Sequence, residues 1–314
     1  MANFFERIGR VEVVTGDTVV INTNGGSLSV NAMKEYDSLD FKFKCKKVAD
    51  MTSTDSNAEV SILGLSRESV QELATYKPRG LEMARQRRIR VYASYRDFGD
   101  NLIFDGDIVE AVPSMPPENW ITIQAFVGNY RHEKLYSHSI NEEITVKQLI
   151  ENVAQVLGLK ALFHLNGEKD EQDELQRKIK TFDCSGTQHD LMTMINRVSD
   201  FVVYEDCGIL HAIMADGEGA LNKRNSGVEI SEDSGMIGIP KILVGSAKSG
   251  EESLKLEVKS LINPSIQMWS RVSLKSVYFP GINGEYTVQQ IEYNGHLRGN
   301  EWYMTVILQS PEVK

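Results

Sequence analysis

Cysteine is scarce: the 314 residues hold three, Cys45, Cys184 and Cys207, far apart and odd in number. Without a CxxC pair they suggest neither a disulfide framework nor a zinc knuckle, and a reducing compartment of assembly fits them best. Long apolar runs are missing as well. No stretch approaches the roughly 20 residues of a membrane span, and Glu6 and Arg7 interrupt the N-terminus where a secretory signal needs its apolar core. Basic residues are outnumbered, 34 Lys and Arg against 44 Asp and Glu, and the net charge of -10 argues against a nucleic-acid binder that works by neutralising phosphates. An acidic surface mainly aids solubility. The expectation is a chain made in the cytoplasm, without membrane insertion, whose 41% apolar residues suffice for one or two cores of ordinary size.

Catalytic signatures are also thin. His132-Glu133 opens like a zincin helix, but Tyr136 stands four residues after His132, where the second metal ligand belongs; His138 follows without a nearby Cys or acidic cluster. Cys184 just before a helix and His189 within it can be imagined as nucleophile and base, since a helix N-terminus lowers a thiol's pKa. No third partner is evident, so a buried structural Cys beside an exposed His is the favoured reading. Cys45 and Cys207 read as small apolar fillers, and Met192, Met194 and Met214 as gap fillers. The pairs Asp105 with Asp107, Glu142 with Glu143 and Glu232 with Asp233 read as solvated turns in an acidic protein. There is no P-loop, and Gly235 with Gly238 falls short of a dinucleotide fingerprint. The aromatics Trp120, Trp269, Trp302, Tyr286, Tyr293 and Tyr303 read as core and interface residues, with a carbohydrate-binding strip as the lesser alternative. No catalytic residue, cofactor or metal site is expected.

What the sequence does have is alternation. Val11 to Val14, Thr18 to Asn22, Phe41 to Cys45, Glu59 to Leu63 and Ile89 to Tyr95 switch between apolar and polar in the manner of half-buried strands. Ser66 can cap a short helix through Val70, Leu73 and Ala74, stopped by Tyr76 to Gly80. Leu102 to Val109 reads as a hairpin or kinked strand around Asp105-Gly106-Asp107, and Pro113, Pro116 and Pro117 mark a domain edge near 113. Trp120 to Val127 is a further strand.

The period then changes to about 3.6. Thr145 with Gln148 resembles a capping box, followed by the stripe Val146, Leu149, Ile150, Val153, Ala154 and Leu157, ended by Gly158. Asn166 to Lys180 is nearly all polar and is expected to be a solvated loop. A strand at Lys180 to Cys184, a helix capped by Thr187, and strands at Phe201 to Tyr204 and Ile209 to Ile213 across Asp206-Cys207-Gly208 form a compact unit. Residues 216 to 253 suggest loops and edge strands. Leu254 to Ile262, Val272 to Phe279, Tyr286 to Tyr293 and Trp302 to Leu308 return to alternation, the pattern of a small barrel or sandwich. One echo joins the two ends: Val109 precedes Trp120 by the same interval as Ile291 precedes Trp302, as if two units shared an ancestor.

Three segments together resemble the phage tail hub family, the baseplate hub or late control D proteins. The first is Phe41-Lys42-Phe43, Ala58 to Ser66, Arg90 to Tyr95 and Leu102 to Ile108. The second is Phe182 to Thr187, closing with Asp206-Cys207-Gly208-Ile209-Leu210. The third is Leu261 to Pro264, Val272-Ser273-Leu274, Gly284 to Val288 and Ile291 to Gly295, ending at Trp302. Their order along nearly the whole chain is the specific signal; Ser94 where the family usually has Gly, and Gly64 where it often has Asn, are departures. The resemblance implies a mainly β protein with two barrel-like domains, 1–112 and 216–314, around an α+β middle domain, 113–215. It further implies a non-enzymatic baseplate or tail hub subunit of a bacteriophage. Three copies would form a ring that adapts a six-fold tail tube to a three-fold tip or spike and leaves a channel for DNA. Expected partners are the other two copies, the tail tube protein, the tip or spike protein, other baseplate proteins and the tape measure protein, with DNA only in passage. The place implied is the virion, after assembly in the host cytoplasm. The hub of a contractile injection or secretion particle and a tail-tip peptidoglycan hydrolase are the alternatives. The basic stretch Lys77, Arg79, Arg85, Arg87, Arg88 and Arg90, opposed by Glu82, is either a solvated face or a face toward a protein neighbour.

Overall fold

In the computed structural model the described residues are 6–15, 18–23, 39–48, 56–74, 87–128, 134–165, 169–214, 228–243 and 254–310. His132, Glu133 and the basic stretch from Lys77 to Arg85 lie outside them.

Alternation makes the strands where it was expected. The first seven are β1 (Arg7–Thr15), β2 (Thr18–Asn22), β3 (Phe41–Val48), β4 (Asn57–Leu63), β5 (Arg87–Tyr95), β6 (Leu102–Pro113) and β7 (Trp120–Phe126), with helix α1 (Arg67–Leu73) capped by the Ser66 side chain. Asp105-Gly106-Asp107 is no turn: β6 runs straight through it. The expected edge at 113 falls within the β6–β7 hairpin, and β7 lies between β4 and β6 in the sheet.

The middle unit holds β8 (Tyr136–Ile140), β9 (Ile144–Thr145), α2 (Val146–Leu157), β10 (Lys160–His164), α3 (Lys169–Gln176), β11 (Lys178–Ile179), β12 (Phe182–Gly186), α4 (Gln188–Val198), β13 (Phe201–Asp206) and β14 (Ile209–Met214). Both long helices start with capping boxes, Thr145 with Gln148 and Thr187 with Asp190, and α2 ends on left-handed Gly158. Their stripes pack over the small sheet β10-β14-β13 in a core of Leu149, Ile150, Leu191, Ile195, Phe201 and Leu210. The polar segment expected to be a solvated loop contains α3 and β11 instead. Glu174 explains the difference, because its carboxylate accepts from Arg177 at 2.6 and 2.8 Å and from the Asp200 backbone at 3.1 Å while Leu175 is buried.

The last strands are β15 (Glu229–Ser231), β16 (Lys241–Leu243), β17 (Lys255–Leu261), β18 (Arg271–Lys275), β19 (Gly284–His296) and β20 (Trp302–Gln309). They join β1–β7 in one thirteen-stranded sheet, because β19 pairs with β3 from Gln290↔Val48 to His296↔Lys42. Packing at this junction is tight: a Cβ on Gly295 would meet the Phe43 ring at 2.3 Å, and one on Gly9 would meet Phe41 and Trp302 at 2.7 Å. Trp302 is buried edge-on to Phe43, ring centroids 5.4 Å apart, and its indole donates to Ser94 O at 3.3 Å.

The two halves of this sheet repeat one order. Chain-successive strands β4, β5, β6, β7 lie in space as β4-β7-β6-β5, and β17, β18, β19, β20 lie as β17-β20-β19-β18. Hydrogen bonds also lead each half back on itself. Thr23, after β2, accepts from Leu39 N at the entry to β3, and Met236, after β15, bridges Ser260 on β17.

Candidate functional site

A buried polar cluster lies where the middle unit meets the large sheet. Along β3, parity turns Phe41, Phe43 and Cys45 inward, and the same parity buries Lys47. A buried ammonium requires a partner. The β13–β14 hairpin supplies it: Cys207 and Gly208, at φ 50° and 75°, form the two-residue turn with positive φ that such hairpins favour, and Asp206 precedes it. Lys47 Nζ donates to Asp206 Oδ2 at 2.8 Å and lies 3.6 Å from Cys207 Sγ. Beyond the turn, a Cβ on Gly208 would stand 3.3 Å from the Arg88 guanidinium, which is itself paired with Asp105 at 2.9 Å. Tyr204 and Ile213 of the same hairpin belong to the core of the large sheet.

Next to this pair, His211 stacks on Tyr204, ring centroids 4.9 Å apart, and its Nδ1 lies 2.8 Å from His164 Nε2. A cleft bordered by His164, His211, Asp206, Asn101, Gln267 and Tyr293 opens here.

Electrostatics ties the cluster together. Burial pulls the Lys47 ammonium toward neutrality, but Asp206 outweighs it and holds the pKa well above the usual lysine value. Asp206, which burial alone would raise, is held below the usual carboxylate value by Lys47. Burial pushes the Cys207 and Cys45 thiols far up, so neither is a thiolate near neutrality. His211 is lowered, by burial first. Both charges are satisfied by each other, and the two thiols beside them are protonated.

Of the residues singled out from sequence, Cys45, Cys207 and Tyr293 come together around Lys47, and the others named there lie elsewhere. Cys184 is buried on β12 opposite His138 of β8, its thiol raised by burial and by Asp190 and Asp183, while His189 on α4 has Thr193 Oγ1 at 3.5 Å. Asp105 and Asp107, expected in a solvated turn, are buried on β6, with Asp105 paired to Arg88 and Arg90. Glu143 meets Lys178 at the surface. Gly235 lies in a turn and Gly238 in a bend after β15. Among the described residues there is no group of three or more His, Cys, Asp and Glu arranged for a metal ion, and no helix is long and apolar enough to cross a membrane. The Lys47–Asp206 pair was not foreseen; its signal was a lysine at an inward position of an alternating strand.

A second feature faces outward. The strand expected to reach Phe279 stops at Lys275 because side chains take over the backbone: Glu232 accepts from Ser276 Oγ at 3.0 Å and Val277 N at 3.1 Å, and Asn283 accepts from Ser276 N at 2.7 Å. The loop so held presents Val277 and Tyr278, 78% and 73% exposed, an apolar surface suited to a protein neighbour.

Residues 18–307 match the family described as baseplate hub gp41. No curated protein matches the chain. Among solved structures, the chain resembles the 43 kDa tail protein of prophage MuSo2 from Shewanella oneidensis, with TM-score 0.58 and 11% identity over 97% of this chain and 98% of that one. A tail protein from Neisseria meningitidis gives TM-score 0.60 and 8% identity over 96% of each chain. An Escherichia coli component of the type VI secretion system, described as similar to the T4 bacteriophage tail proteins gp27 and gp5, gives TM-score 0.54 and 11% identity over 92% of this chain and 78% of that one. Such low identities establish a shared fold, while the family match spans nearly the whole sequence. The chain belongs to the baseplate hub gp41 family.

Proposed function

We propose that this chain is the structural subunit of a trimeric hub in the phage virion, joining the tail tube to the tip or spike. The observation that carries this reading is the repeated strand order of the two halves of the large sheet. A chain with two like units gives three copies six similar positions, which meets a six-fold tube on one side and keeps three-fold symmetry for a tip on the other. In this reading the two units are barrel-like, residues 136–214 form the α+β domain between them, and Lys47–Asp206 holds that domain in place. The net charge of -10 supports a channel whose wall is acidic or neutral, so that DNA passes without binding. Partners are the tube protein, the tip or spike protein, neighbouring baseplate proteins and the tape measure protein.

The likeness to a secretion-system component supports a second reading, the hub of a contractile secretion particle. Imaging of the purified chain and of the tail particle tests the proposal: a ring of three subunits with a central channel at the tube–tip junction is expected, and its absence from that junction overturns it. Incubation with purified cell walls tests the structural role, since sustained bond cleavage would replace it with a hydrolase.

A further inference from the structure

Beside the Lys47–Asp206 pair, His164 and His211 meet head-on. His164 is buried at the end of β10, the edge strand of the small sheet, and His211 is half-buried on the adjacent β14. Their ring planes differ by 8°, their centres are 5.1 Å apart, and His164 Nε2 lies 2.8 Å from His211 Nδ1. That contact, together with the reach from each ring centre to its own nitrogen, accounts for the whole separation of the centres. The rings therefore lie edge to edge, with the two nitrogens aimed at each other in a straight hydrogen bond. Tyr204, stacked on His211, keeps that ring in place.

Such a bond needs one donor and one acceptor, so two neutral imidazoles satisfy it with a single proton between the nitrogens. Two imidazoliums cannot, because each would bring a proton and a positive charge to the same gap. The titratable groups that face the pair are Tyr204 and Asp206 on β13, Cys207 in the turn, Lys47 on β3 and Tyr293 on β19; the other polar side chains of the cleft, Asn101 and Gln267, are uncharged. Burial raises Tyr204, Tyr293 and Cys207. Against the effect of burial, their mutual attraction holds Lys47 above and Asp206 below their ordinary values. That leaves the two histidines as the groups around the cleft that take up protons between roughly pH 4 and 7.

We propose that His164 and His211 form an acid-released fastening: at neutral pH their hydrogen bond holds the end of β10 to β14 along the cleft, and as pH falls below about 6.5 the rings part while Lys47–Asp206 still ties the middle unit to the large sheet. The closed pair is neutral and the parted pair takes up protons, so closure is complete above the ordinary histidine value and is lost below it. With two protons taken up, the ratio of parted to closed forms rises by up to about a hundredfold per pH unit, and with one by about tenfold. The change is local. β10 is paired on one side only, whereas β3 lies inside the large sheet between β4 and β19.

Hydrogen exchange of the full chain from about pH 7.5 down to about pH 5, corrected for the pH dependence of the intrinsic rate, tests the fastening. Peptides covering Lys160–His164 should lose protection in acid with a slope above about tenfold per pH unit, while those covering Phe41–Val48 keep theirs. His164→Gln and His211→Gln should each bring that slope to about tenfold or less, and the double variant should abolish it. The unmodified chain gives a second readout: with selectively labelled histidine, NMR should show the two rings titrating as a coupled pair below the ordinary histidine value. Independent titration of the two rings at that ordinary value, an acid response that survives in the double variant, or loss of protection in Phe41–Val48 at the same pH overturns the proposal.

Discussion

Lys47→Met removes the cation that holds the middle unit to the large sheet, and its cost follows from burial. Lys47 and Asp206 lie 2.8 Å apart with 11% and 24% of their side chains exposed. Deleting one partner of such a pair leaves the other desolvated and uncompensated, about 3–5 kcal/mol. In a chain of this size, at roughly 2 °C per kcal/mol, the melting temperature should fall by about 6 °C or more. Hydrogen exchange should locate the loss at Phe201–Asp206 and Ile209–Met214. Lys47→Met with Asp206→Leu should recover much of it, because an apolar pair replaces an ionic one without a stranded charge. The dependence on pH has a definite sign. Asp206, depressed in the folded state, contributes stability above its unfolded value near 3.9 and loses it as pH falls through the folded value. Lys47, raised in the folded state, contributes stability below its unfolded value near 10.4 and loses it only as pH climbs through the folded value. The variant's deficit should therefore stay level from pH 7 to 9. A loss under about 1 kcal/mol, or one equally large in the double variant, would refute the ion-pair account and leave Lys47 as a packed aliphatic stem.

Three other outcomes follow from the same geometry. His211 is held below the ordinary histidine value by burial, so the unfolded chain takes up its proton first and stability should drop as pH falls below about 6.5; His211→Gln should flatten that part of a melting-temperature profile, and equal slopes would count against it. Trp302→Ala empties the junction beside Phe43 and should cost about 3–5 kcal/mol in denaturant unfolding, with Trp302→Phe retaining most of the packing. Arg177→Ala should cost about 1–2 kcal/mol, the lower part of the range for charged hydrogen bonds because the guanidinium is half exposed, and should open residues 169–180 to proteolysis; unchanged cleavage would show that α3 stands without it.

Periodicity explains which parts of this fold were legible. The long strands could be read because one face of each alternates into a core, as in β3 and β20, and Thr18–Asn22 appears with the expected bounds, whereas short β9, β11 and β16 bury no residue and carry no such signal. The helices α2 and α4 announced themselves by capping boxes and stripes. α3 did not, since its single buried apolar residue, Leu175, forms no stripe, and the groups that fix it, Glu174, Arg177 and the Asp200 backbone, come together only after folding. Asp105 and Asp107 were misplaced because Gly between two acids is turn chemistry locally, while Arg88 and Arg90 on the neighbouring strand make burial tolerable. Pairings such as Tyr293 with Cys45 join residues almost a chain length apart, and nothing local encodes them.

The two tryptophans carry the argument about repetition furthest. Each opens the second strand of a corresponding hairpin, so a simple duplication would give them similar surroundings. Instead Trp302 is buried beside Phe43 with its indole bonded to Ser94, whereas Trp120 is half-buried, beside His296 and under the Lys42 ammonium. A junction within one chain does not weaken on dilution, since the covalent link sets its effective concentration, and here it is sealed by a large ring packed into small residues such as Gly9 and Gly295. The asymmetry between like halves therefore follows from place: Trp302 sits where β19 joins β3 within the chain, and Trp120 stands at a hairpin whose Met115 is exposed.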